Sequence, residues 1–370
     1  MSINQKGKTV NKNLVITLLL GGAVLCSTQA LASQWDAIVS PSPETGHFSS
    51  VKQALDAAPT DGKPWRILVT DGSWQERLVI EKPVTLVGES EDKTIIEANT
   101  PAGQLDSTGK KLGTSRTSTI EIKANGVTLE NLTVRNSFDF PANQALPDDS
   151  PQKLKDTQAV ALLVADNVDE ARFRNVRLEG YQDTFYSKTG SRSYFTDCTI
   201  SGHVDFIFGS GTAVFERCDI IARARGDMAP PLGYITAPST NVNAPYGLIF
   251  IDSKLLKEPG VPAKSFALGR PWHPTTQFDD GRYADPQAIG LSAFINSEID
   301  DHIYGWDKMS GKDKAGEKIW FQPEDSRFYE YGSRGPGANQ GGEKYAMSAA
   351  QAEKYSVKNI FSDWPSSRLQ

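Results

Sequence analysis

The chain has 370 residues, and its 45 acidic and 39 basic side chains give a formal net charge of −6 at pH 7. This acidic balance argues against a nucleic-acid-binding protein and against binding to anionic membranes, because both partners carry negative charge. The three cysteines and four histidines do not follow the spacing of a zinc-binding motif, so we expect no metal site.

Residues 1–32 have the pattern of a secretory signal peptide. Three lysines precede an apolar run at 14–25, which is short for a membrane span, and an A-x-A cleavage motif ends at Ala32. Cleavage there would leave Ser33 as the first residue. The alternatives are a membrane anchor and, because of Cys26, a lipoprotein. We expect an exported protein that is secreted from the cell, with the periplasm as the alternative location.

The mature chain, 33–370, is dominated by strand patterns, and helical patterns occur only near its two ends. Residues 46–59 form an amphipathic pattern that predicts a helix capping the open end of a stack of strands. A helical stretch near 348–358 is expected to pack along the outside. Strands are predicted at 66–70, 77–80, 85–87, 94–96, 119–122, 127–134, 158–164 and 248–252. Loops are predicted at 139–156, 224–234 and 257–264.

A repeat of 22 residues organises the middle of the chain. The segment FRNVRLEGYQDTFY at 173–186 aligns with FTDCTISGHVDFIF at 195–208, and both alternate apolar with polar residues as strands do. A period of about 20 residues built from short strands predicts a stacked solenoid. We therefore predict an all-β fold, a right-handed parallel β-helix, as one domain over residues 33–370 and as a monomer.

Cys198 and Cys218 fall at equivalent positions of two neighbouring coils. Their Cα atoms would lie near the strand spacing of ~4.8 Å, which is within the range that a disulfide tolerates. Export would place the chain in an oxidising compartment. The sequence therefore predicts a Cys198–Cys218 disulfide, and the alternative is a pair of buried free thiols.

Two aspartates, Asp183 and Asp205, occupy the same position of adjacent coils, so we expect them to be neighbours on one surface. Two adjacent carboxyl groups do not ionise freely together, and a nearby arginine such as Arg270 favours the ionised form of one of them. This separation suits a nucleophile or base paired with a proton donor. The amides of Gln158 and Gln182 are candidate hydrogen-bond donors to an oxyanion. The alternatives are solvated turn aspartates, glutamines that form turn or ladder hydrogen bonds, and an Arg270 that belongs to a surface ion pair.

Aromatic residues surround these polar positions, and exposed aromatic rings suit the apolar faces of sugars. We expect Phe185 and Phe206 to belong to the core, and we expect His203 to be structural. The aromatic set consists of Tyr181, Phe185, Tyr186, Phe206, Phe208 and Trp272.

Three blocks of this region resemble the signature blocks of the pectin methylesterases, or pectinesterases. They are GYQDTFY at 180–186, HVDFIFG at 203–209 and LGRPW at 268–272. Weaker matches, from GHFSSVKQAL at the first predicted helix to EYGSRGPGA near the C-terminus, extend the resemblance over most of the mature chain. The long loops and the signal peptide are similar to those of bacterial, enterobacterial-type members. One departure is Pro238, where many members have Gln.

The resemblance implies a right-handed parallel β-helix that hydrolyses the C6 methyl esters of polygalacturonate in pectin, giving pectate and methanol without a cofactor. Asp205 resembles the nucleophile, and Asp183 resembles the general acid that later acts as base. Gln182 is similar to the main oxyanion donor, with Gln158 as the other family glutamine, and Arg270 resembles the residue that orients the nucleophile. The residues that match substrate-binding positions are Trp272, Phe208, Tyr186, Val204 and Met309.

Three other interpretations use the same fold. An inverting glycoside hydrolase needs ~6.5–9.5 Å between its carboxyl groups, which adjacent coils fit poorly. A pectate lyase needs a calcium site made of clustered acidic residues, and no such cluster lies beside Asp205 in the sequence. A carbohydrate-binding solenoid without activity has no need of Asp183, Asp205 and Arg270 together. A serine esterase is not predicted, because the chain has no G-x-S-x-G motif.

Overall fold

The structure is a computed structural model that describes residues 34–63, 65–226 and 228–369. The signal peptide predicted at 1–32 lies outside these residues. The chain from Ala37 onward forms one compact unit, and this unit is described by itself. Within the described ranges, no helix is both long enough and apolar enough to cross a membrane.

Most of the strands pair in parallel and stack into three ribbons, so the fold is a parallel β-helix, as predicted. In chain order the strands are β1 (Ala37–Val39), β2 (Trp65–Val69), β3 (Gly72–Gln75), β4 (Leu78–Ile80), β5 (Val84–Gly88), β6 (Thr94–Ala98), β7 (Ile120–Ile122), β8 (Thr128–Asn136), β9 (Leu162–Val164), β10 (Ala171–Glu179), β11 (Phe185–Ser187), β12 (Arg192–Thr196), β13 (Thr199–Gly202), β14 (Ile207–Gly209), β15 (Thr212–Glu216), β16 (Asp219–Ala222), β17 (Gly233–Pro238), β18 (Leu248–Ile251), β19 (Lys254–Lys257), β20 (Phe266–Gly269), β21 (Thr275–Phe278), β22 (Gly281–Ala284), β23 (Leu291–Ile295), β24 (Glu298–Ile299), β25 (Met309–Lys312), β26 (Lys318–Phe321) and β27 (Arg327–Tyr331).

The first ribbon follows the order β1-β2-β5-β8-β10-β12-β15-β18-β23-β27. The second contains β3, β6, β13, β16, β19 and β24, and the long strands β8 and β10 contribute to both ribbons. The third follows β4-β7-β9-β11-β14-β17-β20. Two antiparallel hairpins, β21–β22 and β25–β26, are separate from the ribbons.

A column of phenylalanine rings fixes the register of the coils from inside. These rings occupy paired positions of neighbouring strands in the first ribbon, and each is fully buried. Successive ring centroids lie 4.2, 4.7, 4.7 and 4.5 Å apart, with the rings stacked. Burial of each ring contributes about 1.5–3 kcal/mol, so a slip in register would lose several such terms together. The column consists of Phe173, Phe195, Phe215, Phe250 and Phe294.

A row of residues with positive φ forms the corner between the first and second ribbons, and we call it the structural turn row. Asn and Asp tolerate this left-handed conformation better than most residues do. Neighbours in the row bind one another: the Asn175 side-chain amide donates to Asn131 at 2.7 Å, and Arg217 forms two hydrogen bonds with Asp197. The members, with φ between 49° and 55°, are Asn131, Asn175, Asp197, Arg217, Asp252 and Asn296.

Cys198 and Cys218 directly follow two members of this row, and both are free buried thiols. The predicted disulfide is therefore wrong for this structure. The two residues directly precede β13 and β16, which pair in parallel. Parallel stacking keeps side chains near the strand spacing of ~4.8 Å, whereas the Cβ atoms of a disulfide lie ~3.8 Å apart. Each sulfur instead contacts a carbonyl of its own turn, Thr196 for Cys198 at 3.3 Å and Glu216 for Cys218 at 3.4 Å.

Short helices lie at both ends of the fold, as predicted. Helix α1 (Val51–Ala57) begins after the N-cap Ser50 and buries its apolar face in the main core. The predicted C-terminal helix consists of α3 (Ala349–Ala352) and α4 (Val357–Ile360), separated by a 3₁₀ turn. This segment packs on the outward-facing side chains of the first ribbon in a second apolar cluster. This separating turn is Glu353–Tyr355, and further 3₁₀ turns lie at Thr114–Arg116, Pro323–Asp325, Glu343–Tyr345 and Ser366–Arg368.

The segment 139–156, predicted as a loop, contains helix α2 (Phe140–Ala145). Asp139 caps this helix by accepting a hydrogen bond from the Ala142 backbone at 2.9 Å. Phe140 is buried and its ring meets that of His203 edge-on at 4.4 Å. The helix thus depends on a distant contact, which explains why local periodicity did not predict it.

Candidate active site

The predicted site residues come from corners between the second and third ribbons. Gln182 and Asp183 lie between β10 and β11, and Asp205 lies between β13 and β14 on the next coil. The two corners stack through backbone hydrogen bonds, with the Asp183 N–H donating to the Val204 carbonyl at 3.1 Å and the Phe185 N–H donating to the Phe206 carbonyl at 2.8 Å. Since the corners are in register, the two aspartates are neighbours, as the repeat predicted.

Asp183 and Asp205 form an active-site turn row, in which both residues have positive φ, 66° and 51°. Each is only 7% exposed. The alternative of solvated turn aspartates is therefore wrong. Left-handed backbone at two buried, adjacent carboxyl groups is the kind of local strain that clusters at functional sites.

Arg270, which follows β20, binds the Asp205 carboxylate with two parallel hydrogen bonds. Its Nε donates to Oδ1 at 2.8 Å and its Nη2 donates to Oδ2 at 2.6 Å, a geometry typical of an ionised carboxylate. The guanidinium lies 3.8 Å from the centroid of the Tyr234 ring. The preceding Gly269 lets the backbone pass close to Thr236, because a Cβ there would meet the Thr236 hydroxyl at 2.2 Å. The orientation of Asp205 is thus fixed from several sides.

Asp183 has a different electrostatic environment. Burial raises its pKa well above the ordinary value, and the neighbouring Asp205 charge raises it further, whereas Arg270 opposes this effect. Burial alone would lower the pKa of Arg270, but Asp205 raises it above the ordinary value. The pair therefore consists of one carboxylate held in an ion pair and one carboxyl group that favours its neutral form, which is the division required for acid–base chemistry.

The two glutamines lie beside this pair. The Gln182 Oε1 accepts a hydrogen bond from the Thr157 hydroxyl at 2.8 Å, so the amide nitrogen of Gln182 remains available as a donor. Gln158 bridges to Gln182 through the backbone. Among the described residues, the buried Oε1 of Gln158 has no hydrogen-bond partner. Both side chains line the same cleft as the aspartates.

A cleft of about 420 Å³ brings the predicted residues together. Val204 is the exception: it is 8% exposed, lies next to Asp205 and does not line the cleft. Met309 reaches the cleft from the hairpin β25–β26. The lining consists of Thr114, Ser115, Gln158, Gln182, Asp183, Tyr186, Asp205, Phe208, Ala237, Arg270, Trp272 and Met309.

Aromatic side chains form one wall of the cleft. Tyr186 and Phe208 occupy paired positions of β11 and β14 and stack with centroids 4.2 Å apart. Trp272 lies 5.6 Å from Phe208 and 6.4 Å from Tyr186. The backbone N–H of Trp272 donates to the carbonyl of Pro238 at 3.2 Å. Pro238 therefore helps to position the aromatic wall through its main chain.

The remaining predicted aromatic and histidine residues have core roles. Phe185 and Phe206 are fully buried, as predicted. His203 is also buried, and its Nδ1 accepts the backbone N–H of Val204 at 2.7 Å. Tyr181 packs against His203 with centroids 5.4 Å apart. These residues support the Asp205 corner from behind rather than contact the cleft.

Sequence reasoning missed five residues of the site. Thr114, Ser115 and Ala237 line the cleft, Thr157 binds Gln182, and Tyr234 lies against Arg270. Thr157 directly precedes Gln158, so the polar pair before the strand was a usable signal. The 3₁₀ turn that carries Thr114 has no such signal, because only the folded chain brings it to the cleft.

The arrangement has the parts of an acyl-transfer site. A fixed carboxylate, a carboxyl group with a raised pKa and the side-chain amides of two glutamines face one open cleft with an aromatic wall. Within the described part of the chain, no group of three or more His, Cys, Asp or Glu side chains is arranged to hold a metal ion. The fold and the site together define a parallel β-helix protein with a paired-carboxylate site.

Comparison with known proteins identifies the family to which the chain belongs. The sequence profile of the pectinesterase family matches residues 36–363. Pectinesterase A of Dickeya dadantii (strain 3937) is 50% identical over 362 residues, which cover 96% of this chain and 98% of that protein. The chain therefore belongs to the pectinesterase family, and its class is that of the carboxylic ester hydrolases.

Two solved structures agree with this assignment. The pectin methylesterase from Yersinia enterocolitica is 63% identical with a TM-score of 0.84, over 86% of this chain and 99% of that chain. A pectin methylesterase in complex with hexasaccharide VII is 51% identical with a TM-score of 0.87, over 90% of this chain and 98% of that chain.

Proposed function

We propose that this protein hydrolyses the methyl esters of polygalacturonate in pectin, giving pectate and methanol. The observation that carries the proposal is the ion pair of Arg270 with Asp205 beside the buried Asp183, whose pKa is raised. Family membership and the names of the relatives support the same activity.

In the proposed first step, an Asp205 oxygen attacks the ester carbonyl carbon. Arg270 restricts the carboxylate to one orientation, which reduces the entropy cost of reaching the transition state. The carbonyl oxygen becomes an oxyanion, and the free amide nitrogen of Gln182 donates a hydrogen bond to it, assisted by the amide of Gln158. The C–O bond to methanol then breaks while Asp183 gives its proton to the leaving oxygen.

The second step returns the site to its starting state. The first step leaves an anhydride between Asp205 and the sugar carboxyl group, and it leaves Asp183 ionised. Asp183 then takes a proton from water, and the hydroxide attacks the sugar acyl carbon. Collapse of this intermediate frees the Asp205 carboxylate and the sugar carboxylic acid, and the sugar acid then releases its proton to solvent. Asp183 is protonated again, so the groups and protons balance.

The cleft fits a sugar polymer as substrate. The stacked rings of Tyr186 and Phe208, together with Trp272, offer apolar surface to sugar rings at the opening. The relative solved with hexasaccharide VII supports a substrate of several linked sugars. Because such a polymer is encountered outside the cell, we also propose that residues 1–32 direct export.

The test is the product released from highly methylated pectin by the purified protein. We expect methanol to appear while the number of reducing ends and the ultraviolet absorbance of unsaturated sugars stay constant. New reducing ends without methanol would instead identify a glycoside hydrolase, and unsaturated sugars with a calcium requirement would identify a lyase.

A further inference from the structure

The hairpin β25–β26 presents two different faces. On its inner face, Met309 lines the cleft and Phe321 stacks on His273 with centroids 3.5 Å apart. Side chains alternate along both strands, so the next residues point outward. Trp320 is 48% exposed on this outer face. Three exposed lysines lie on the same outer face: Lys308, Lys312 and Lys318.

The lysines of the outer face surround the exposed ring. The ammonium groups of Lys308 and Lys318 lie 4.8 and 4.3 Å from the centroid of the Trp320 ring. Lys312 and Lys318 are direct partners across the antiparallel pair. Like charges in that position destabilise a hairpin, so an anionic partner would relieve the repulsion.

These lysines have no carboxylate partner among the described residues, although acidic residues are close in sequence. Asp307 accepts a hydrogen bond from the Tyr304 hydroxyl at 2.7 Å, and Asp313 accepts the backbone N–H of Glu317 at 2.8 Å. In the described part of the chain, Asp307, Asp313 and Glu317 form no ion pair with any of the three lysines. The outer face therefore combines unpaired positive charge with an exposed aromatic ring in a chain of net charge −6.

We propose that the outer face of β25–β26 binds a de-esterified, anionic stretch of polygalacturonate that continues from the cleft. This inference rests on the proposed function, because each ester hydrolysed would leave a carboxylate on the sugar. The indole ring would stack on an apolar sugar face, and the lysines would pair with the sugar carboxylates. The hairpin borders the cleft, because Met309 at its start is one of the lining residues.

Binding to fully de-esterified polygalacturonate tests the proposal, with Trp320→Ala and the double variant Lys308→Gln/Lys318→Gln. Each exposed charge or stacking contact contributes a factor of about two to five. We therefore expect the dissociation constant to rise about three- to tenfold in both variants, with a smaller difference at high salt. The matched control is Lys314→Gln, since that exposed lysine already pairs with Asp280 at 2.9 Å. It should bind like the wild type.

Ester hydrolysis of a short methylated trimer shows whether the hairpin still shapes the cleft. We expect unchanged turnover in both variants, because none of the replaced side chains lines the cleft. Wild-type affinity for polygalacturonate in both variants, or equal weakening in Lys314→Gln, would overturn the proposal. Binding is measured without turnover. Absence of methanol release by the wild type would thus count against the proposed esterase alone, and the binding comparison would still decide the role of the outer face.

Discussion

The β-helix uses the same backbone device at two corners with opposite results. In the structural turn row, Asp197 has φ 55° and pairs bidentately with Arg217 of the neighbouring coil. In the active-site turn row, Asp205 has φ 51° and pairs bidentately with Arg270. Backbone conformation and ion-pair geometry are therefore nearly the same in the two rows.

The two rows differ in their surroundings. The side chains of Asp197 and Arg217 are 52% and 51% exposed, whereas those of Asp205 and Arg270 are 11% and 20% exposed. The second carboxyl group beside Asp205 is that of the buried Asp183, whose pKa is raised. The second carboxyl group beside Asp197 is that of Glu216, which forms its own ion pair with Arg217. The reactive corner therefore differs from the structural one in its burial and in its buried carboxyl neighbour, and not in its backbone conformation.

The largest expected effect comes from Asp205→Asn, because it removes the proposed nucleophile. Asparagine tolerates positive φ, so the corner keeps its shape. We expect methanol release to fall by on the order of 10³-fold or more, with binding of methylated pectin retained through the aromatic wall. The matched control is Asp197→Asn, which makes the same change in the structural turn row and should leave turnover unchanged. A folded Asp205→Asn protein with near-normal turnover would refute the mechanism.

The second prediction compares the two ion pairs by replacing the arginine of each with lysine. Lysine keeps the charge but lacks the planar fork, so it cannot hold both oxygens of a carboxylate. Arg270→Lys should lower kcat/KM by about 100-fold, since a buried charged hydrogen bond contributes about 1.5–3 kcal/mol. Arg217→Lys should change neither kcat/KM nor stability by much, because exposed ion pairs contribute about 0–1 kcal/mol. Equal effects of the two substitutions in steady-state assays would remove burial as the distinguishing factor.

A smaller effect is expected from Thr157→Val, which removes the hydrogen bond that orients the Gln182 amide. A hydrogen bond of this kind contributes about 0.5–1.5 kcal/mol, so kcat should fall about three- to tenfold while KM stays constant. Thr157→Ser retains the hydroxyl and should restore kcat. A rise in KM without a fall in kcat, or no rescue by serine, would show that Thr157 has only a structural role.

The sequence was sufficient where the repeat itself carries the geometry. A shift of 22 residues placed Phe195 on Phe173 and Asp205 on Asp183, and both pairs are in register in the structure. It was insufficient where contacts between distant segments decide the outcome. Helix α2 depends on the burial of Phe140 against His203, and the cleft receives Met309 from a hairpin that was not predicted.

The predicted disulfide failed for a different reason. Equivalent positions on neighbouring coils fix the Cα separation but also keep the two side chains parallel, and the bond depends on the direction of the Cβ atoms. Cys198 and Cys218 occupy equivalent positions of the repeat, yet both are free buried thiols. Position in the repeat is thus a reliable guide to proximity, as for the aspartates, and a poor guide to covalent geometry.

The smallest effect concerns stability and distinguishes the two members of the active-site turn row. The pKa of Asp183 is raised in the folded state, so folding favours its protonated form. Its contribution to stability is present below the unfolded pKa near 3.8 and is lost as pH rises through the folded pKa. Asp183→Asn removes this loss, so we expect the free energy of unfolding to increase by ~1 kcal/mol at pH 8 and to remain unchanged at pH 3.

The same Asp183→Asn variant should release methanol at least about 100-fold more slowly, because an amide cannot protonate the leaving group. Asp205→Asn should lose stability instead, since it leaves the buried Arg270 without its carboxylate. Urea unfolding followed by circular dichroism at the two pH values measures both variants, with Asp197→Asn as the exposed control that shows neither change. A gain of the same size at pH 3 and pH 8 would show that Asp183 is not protonated preferentially in the folded state. Its assignment as the proton donor would then be wrong, even if the variant were inactive.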